Sequence, residues 1–209
     1  MKTIDIINLG CIDYQKAYCI QKQYHRKRQH DLIPNTLILA QHPHVITCGR
    51  LYNDKDIVNL KELESRGIPI IKTDRGGGIT YHGPGQIMTY PIFDLKTIKK
   101  DIHFYIMRLE NTIIDLLTTY SIKARSKNES RGVWVKNKKI ASIGVGISRW
   151  ITYHGACLNV DTDMDYFKFI KPCGLPSDEM ISMKQILNIA VDIAEVEENI
   201  IKSFKKNFI

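Results

Sequence analysis

The sequence predicts one α+β domain, residues 1–209, with a mixed or antiparallel sheet flanked by helices. Three observations predict it. Helices interrupt the strands early in the chain, a block of consecutive strands fills residues 132–161, and helices close the chain. No regular strand–helix alternation runs through it, so a doubly wound parallel sheet is not expected. With 209 residues, 44% apolar and 25% charged, the chain is long enough for a substantial core and unlike disordered or fibrous proteins.

The elements follow in order. Residues 2–9 alternate as a strand. Residues 13–30 read as a helix capped by Asp13, with apolar or aromatic side chains at 14, 17, 18 and 20. Residues 36–40 and 45–47 are strand-like, and 59–66 form a helix closed by Gly67. Residues 68–72 are rich in β-branched side chains. Residues 75–86 are five-twelfths glycine, and 87–94 make a strand. A helix over 101–120 places apolar side chains at 102, 106, 109, 113, 116 and 117. Strands at 133–135 and 140–147 are joined by a polar hairpin turn, 136–139, and a third strand covers 153–160. A short helix at 163–170 and helices at 183–189 and 191–208 complete the chain.

Thirty Lys and Arg against 22 Asp and Glu leave a net charge of +8. That balance suits solvated helix faces or an acidic protein partner, densest at residues 25–30 and again at 202–206. No helix-turn-helix, zinc-finger or aromatic RNA-binding pattern accompanies it, so nucleic acid is not the expected partner. No apolar run approaches the roughly 18 residues of a membrane span. Leu9-Gly10-Cys11 resembles a lipoprotein box, but Asp5 and Asn8 spoil the segment before it. The five cysteines, at 11, 19, 48, 157 and 173, are odd in number and irregularly spaced, which favours a reducing compartment over a disulfide framework. His42 and His44 with Cys48 lack the second ligand pair of a structural zinc site, so no metal is expected.

Chemistry gathers in three places. Arg75-Gly-Gly-Gly-Ile-Thr-Tyr-His-Gly-Pro-Gly-Gln86 holds too many glycines for an ordinary turn and matches neither common nucleotide motif. Tyr-His-Gly occurs at 81–83 and at 153–155, which puts His82 and His154 beside exposed backbone as candidate acid–base or hydrogen-bonding groups, or as structural histidines. Pro172-Cys173-Gly174 holds a thiol in a tight turn, with the Gly174 amide as a candidate oxyanion donor. By spacing alone Cys173 reads equally as a nucleophile and as a small buried apolar residue. A nucleophilic thiol needs a partner to ionise it. His82, His154 and the lysines of 136–139 are available, and spacing alone favours a solvated hairpin lysine at Lys139.

Together these segments resemble the lipoyl(octanoyl) transferase family. The matching pieces are His42-Pro43 with Thr47-x-Gly49, the 75–86 segment, Gly132-Val-Trp-Val135, Lys139-Ile-Ala-Ser-Ile-Gly144, His154-Gly-Ala-Cys-Leu-Asn-Val160 and Pro172-Cys-Gly174. They occur in the family's order across roughly residues 36–190, and their combination is specific where each alone is weak. Gly78 and Cys157 depart from the common pattern, at two positions that touch the acyl pocket.

The resemblance implies a biotin/lipoate ligase-like fold, a cytoplasmic location, no cofactor, and octanoyl transfer from octanoyl-acyl carrier protein. The implied acceptors are lipoyl domains and the glycine-cleavage H protein. It assigns catalysis to Cys173 and Lys139. The acyl pocket falls to Arg75, Gly76, Gly77, Gly78, Ile79, Thr80, Tyr81, His82, Ser142, Ile143, Gly144, Gly155, Ala156 and Cys157, with His154 supporting. A monomer is expected. The competing readings are an ATP-dependent lipoate or biotin ligase, for which Pro-Cys-Gly has no task, and a non-catalytic binder of acidic carrier proteins.

Overall fold

The computed structural model describes residues 3–127 and 130–209, so Lys2 of the expected first strand lies outside the described residues. In chain order the regular elements are β1 (Ile4–Cys11), α1 (Tyr14–Gln29), β2 (Asn35–Gln41), β3 (Val45–Cys48), α2 (Leu60–Ser65), β4 (Ile70–Lys72), β5 (Ile79–His82) and β6 (Gln86–Ile92). There follow α3 (Ile102–Thr119), β7 (Arg125–Ser126), β8 (Val133–Val135), β9 (Lys138–Ser148), β10 (Ile151–Asn159), α4 (Met183–Leu187) and α5 (Ile193–Phe208). The seven-stranded sheet runs β1-β2-β6-β10-β9-β8-β7 and is mixed, since β1 and β2 are parallel and the remaining neighbours antiparallel. A three-stranded sheet, β4-β3-β5, packs beside it.

β2 explains why the large sheet lies in the middle. Its Leu37 and Leu39 face the core under α3 and α5, and its Ile38 and Ala40 face the core under α1. A strand buried on both faces reads as a continuous apolar run, as this one does. On the first side, Leu109, Ile113, Leu116 and Leu117 of α3 meet Val196, Ile200 and Phe204 of α5. The i, i+3, i+4 spacing on both helices supplies that face, and Asp101 caps α3 by accepting from the Phe104 amide at 3.0 Å. Each of these fully buried side chains contributes about 2–3 kcal/mol through burial.

The expected cap of α1 is present, with Asp13 Oδ1 accepting from the Lys16 amide at 3.0 Å. The face α1 buries is not the apolar one expected. Besides Tyr14 and Ala17 it buries Gln21, His25 and Arg28. Arg28 reaches Asn35 at 3.0 Å and Asp94 at 3.5 Å, and His25 Nε2 meets the Ile151 carbonyl at 3.2 Å. The densest basic cluster therefore belongs partly to the interior, held there by buried acceptors. The turn between β8 and β9 is shorter than expected, Lys136 and Asn137 alone, because Lys136 takes the left-handed conformation (φ 54°) that a tight hairpin requires. Lys139 consequently lies inside β9. The expected helix at 163–170 is a 3₁₀ turn, Met164–Phe169.

Candidate active site

The glycine-rich segment crosses from β4 to β5 and is bolted down at every step. Arg75 turns inward, with Nη2 donating to the Thr47 carbonyl at 2.7 Å and to Thr47 Oγ1 at 2.9 Å. The Gly76 amide donates to the Val145 carbonyl at 2.9 Å, and the Gly77 and Gly78 carbonyls accept from Leu51 and Gly49, each at 3.0 Å. Gly144 must be glycine for this fit, because a Cβ there would stand 2.8 Å from the Gly76 carbonyl oxygen. Among the described residues the Gly77 and Gly78 amides donate to no protein group. They border Cys173, since a Cβ at Gly77 would lie 3.8 Å from Sγ and one at Gly78 would lie 3.4 Å from Cys173 Cα.

Cys173 sits in the 3₁₀ turn Pro172–Gly174 at φ 53°, ψ 35°. This left-handed backbone is costly for a side chain with Cβ and recurs where function holds a residue in place. The Gly174 amide is not a free oxyanion donor as expected, because it donates to the Lys171 carbonyl at 3.0 Å and closes the turn.

Lys139 is 3% exposed, far from the solvated hairpin lysine that spacing favoured. Strand alternation turns it inward, and its Nζ lies 5.5 Å from the centre of the Trp134 ring. Burial pushes its pKa below the ordinary lysine value, opposed by the thiols of Cys173 and Cys157 and by Glu110. Glu110 of α3 is also buried, and its Oε1 accepts from the Gly132 amide at 3.1 Å. It falls beside Leu109 on the apolar face of α3, the one sequence signal that could have found it.

His82 is fully engaged. Its Nδ1–H donates to Gln86 Oε1 at 2.7 Å, and its Nε2 accepts from the Thr47 hydroxyl at 3.0 Å while Thr47 accepts from Arg75. Gln86 Nε2 donates onward to Asn159 Oδ1 at 2.8 Å, and Asn159 Nδ2 donates to the Ile181 carbonyl at 3.1 Å. The Ile181 amide in turn donates to the Lys139 carbonyl at 3.0 Å, so one chain of bonds ties the glycine loop to the lysine strand. Burial holds the His82 pKa well below its usual value, so the ring is neutral. His82→Ala is expected to cost about 2–3 kcal/mol, because Gln86 Oε1 and Thr47 Oγ1 lose a buried partner. The shape of the pH–rate profile should not change. Denaturant titration and the profile check both, and a displaced limb in the variant would show that His82 titrates during turnover.

His154 has φ 53°, and both it and its strand neighbour Tyr153 reach the same carboxylate. Asp74 accepts from Tyr18 and His154 on Oδ1 and from Tyr153 on Oδ2, each at 2.8 Å, and Lys22 stands 3.3 Å away. The His154 bond comes first among the causes that hold the Asp74 carboxyl far below the usual range. Burial lowers the pKa of His154 itself, with Asp74 opposing. Asp74 carried no sequence signal beyond preceding Arg75. His154 Nδ1 and Thr80 Oγ1, both buried and both lining the pocket described next, have no partner among the described residues.

Two cavities meet at Cys173. An inner pocket is lined by Thr80, His82, Met88, Tyr90 and Cys157 among others, with Arg75, Ser142, His154, Gly155 and Ala156. An outer, open cleft is lined by Gly76 to Gly78, Lys139, Arg131, Asp56 and Leu51. Ile143, Gly144 and Cys173 belong to both. Of the pocket residues expected from sequence, Ile79 and Tyr81 line neither cavity. The two-residue period of β5 turns Thr80 and His82 to the pocket and packs Ile79 and Tyr81 into the core of the small sheet. His42 is occupied by the Ile12 carbonyl and Tyr90 hydroxyl, each at 2.7 Å, and no three metal-ligating side chains gather among the described residues.

A thiol in a strained turn, a buried amine, free backbone amides and a largely apolar pocket are the parts of an acyl-transfer centre. The lipoyl protein ligase A/B catalytic domain profile matches residues 13–205. The octanoyltransferase of Solibacter usitatus is 42% identical over 209 residues, covering 100% of this chain and 94% of that one. That of Syntrophobacter fumaroxidans is 40% identical over 204 residues, covering 97% and 90%. The chain belongs to the octanoyltransferase family. It is accordingly an acyltransferase. The fold agrees with the biotin/lipoate ligase-like expectation. A bi-partite lipoate protein ligase of Thermoplasma acidophilum superposes with TM-score 0.78 at 16% identity, covering 99% of this chain and 84% of that one. The biotin protein ligase of Aquifex aeolicus gives 0.56 at 12% identity, covering 99% and 69%. No described helix is long and apolar enough to cross a membrane.

Proposed function

We propose that this acyltransferase moves an octanoyl group from octanoyl-acyl carrier protein to a specific lysine of a lipoyl domain or of the glycine-cleavage H protein. The intermediate is a thioester on Cys173. The observation that carries this reading is the meeting of a largely apolar pocket and an open cleft at one thiol, with the buried Lys139 on the cleft side. The protein acts as a cytoplasmic monomer.

The acyl chain occupies the inner pocket and the carrier's thioester arm lies in the outer cleft. Lys139, neutral, takes the proton of Cys173, and the thiolate attacks the thioester carbonyl. The Gly77 and Gly78 amides face the developing oxyanion, where donors fixed before reaction are most effective. Lys139, now charged, returns the proton to the departing carrier thiol. One thioester replaces another, so this step is nearly balanced in energy. The acceptor amine then attacks the Cys173 thioester. Lys139 removes the amine's proton and passes it to Cys173 as the thiolate leaves. Conversion of a thioester to an amide draws the sequence forward, so no nucleotide is consumed. Lowering the lysine pKa by burial suits a group that must both take and give a proton near neutrality.

The test is transfer from octanoyl-acyl carrier protein to a lipoyl domain without ATP, beside free octanoate with ATP. Transfer from the carrier alone supports the proposal. Transfer that requires ATP and free acid would replace it with the ligase reading.

A further inference from the structure

The outer cleft poses an electrostatic problem for a lysine acceptor. Two basic side chains line it, Lys139 and Arg131, and the Arg131 guanidinium opposes the entry of a further cation. Among the described residues it has one carboxylate in its lining, that of Asp56. Asp56 makes no ion pair among the described residues, although Lys55 is its neighbour in sequence. One carboxylate oxygen, Oδ2, accepts weakly from the Asn53 amide at 3.4 Å and closes a small cap. The other oxygen has no partner among the described residues.

The position of Asp56 relative to the nucleophile is fixed by the backbone. The Lys171 amide, two residues before Cys173, donates to the Asp56 carbonyl at 2.7 Å. Ile57 bridges to Ile170, and the Val58 amide donates to the Phe169 carbonyl at 2.8 Å. Three successive residues are thus sewn to the segment that ends in Cys173. A residue so placed is part of the cleft wall, and its backbone does not swing freely with a surface loop.

We infer that Asp56 is a positioning residue for the acceptor, its carboxylate receiving the incoming lysine ammonium in the outer cleft; the ammonium gives one proton to solvent to become the attacking amine, and Lys139 takes the second as the amide forms. The inference rests on the proposed transfer to a lysine and adds the group that recognises it. It has a definite kinetic shape. A carboxylate beside an ammonium strengthens binding but also holds the proton on the amine. Its loss therefore raises the acceptor concentration needed for half-maximal rate and leaves the saturating rate unchanged or slightly higher. The donor step involves no substrate cation and is indifferent to Asp56.

The experiment separates the two halves in the full-length protein. Acyl-enzyme is formed with octanoyl-acyl carrier protein and followed by intact mass. Its decay is then measured against increasing lipoyl domain at low and high salt, and against hydroxylamine, a neutral nucleophile at pH 7. Asp56→Asn is expected to form acyl-enzyme at the wild-type rate and to need about five-fold more lipoyl domain, the scale of a partly exposed charge pair. That difference should shrink at high salt. Decay with hydroxylamine should match wild type, and Asp56→Glu should restore most of the loss. Identical lipoyl-domain dependence in Asp56→Asn, or an equal loss with hydroxylamine, overturns the inference while leaving the thioester reading standing. Failure of the wild-type protein to form acyl-enzyme removes both.

Discussion

Cys173→Ala is expected to lose about 10⁴-fold or more in octanoyl transfer, the scale seen when a covalent nucleophile is deleted. The variant should still fold, because alanine tolerates φ 53° no worse than cysteine and the turn is closed by backbone bonds from Gly174 to Lys171 and from Leu175 to Pro172. Thermal unfolding separates the two effects. A near-wild-type melting temperature with activity lost is the expected pair of results. Retention of a tenth of the activity would remove Cys173 from the mechanism.

Lys139→Ala is expected to cost about 10²–10⁴-fold, the range for general acid–base help. The wild-type pH profile carries a second sign of it. Burial lowers the Lys139 pKa, so the neutral amine that takes the Cys173 proton is present at lower pH than an ordinary lysine would allow. The acid limb of the profile should lie at lower pH accordingly and be absent from the residual activity of the variant. The same burial makes Lys139 a stability cost. Between its lowered folded-state pKa and the ordinary lysine value, the unfolded chain binds the extra proton, so stability rises with pH through that window. Below the folded-state pKa the full cost is present. Lys139→Met is therefore expected to be inactive yet to melt higher than wild type at pH 7, with the gap narrowing as pH rises. Equal melting temperatures at neutral pH would contradict the desolvated lysine.

The contrast between Lys139 and its surroundings shows what the sequence could reveal. The pattern of apolar residues located α3, α5 and the strands of the large sheet other than β7, whose two residues, Arg125 and Ser126, are exposed and carry no such spacing. Asp13 marked a helix start, because a cap is a local bond. The buried side of α1 was not legible. Gln21, His25 and Arg28 look like surface residues until their partners, the His154 amide, the Ile151 carbonyl and Asp94, arrive from more than sixty positions away. Asp74 and Glu110 escaped for the same reason, since each acquires its meaning only from distant donors. Ile79 and Tyr81 could have been separated from Thr80 and His82 by the two-residue period of a strand. The glycines around them made that segment read as a loop.

The central claim is a covalent octanoyl group on one thiol. The direct measurement is the intact mass of the purified protein after mixing with octanoyl-acyl carrier protein, without acceptor or ATP. The account predicts an increase of one octanoyl group that is absent in Cys173→Ala and disappears when a lipoyl domain is added. No increase with an active carrier, or an increase that persists in Cys173→Ala, would contradict it.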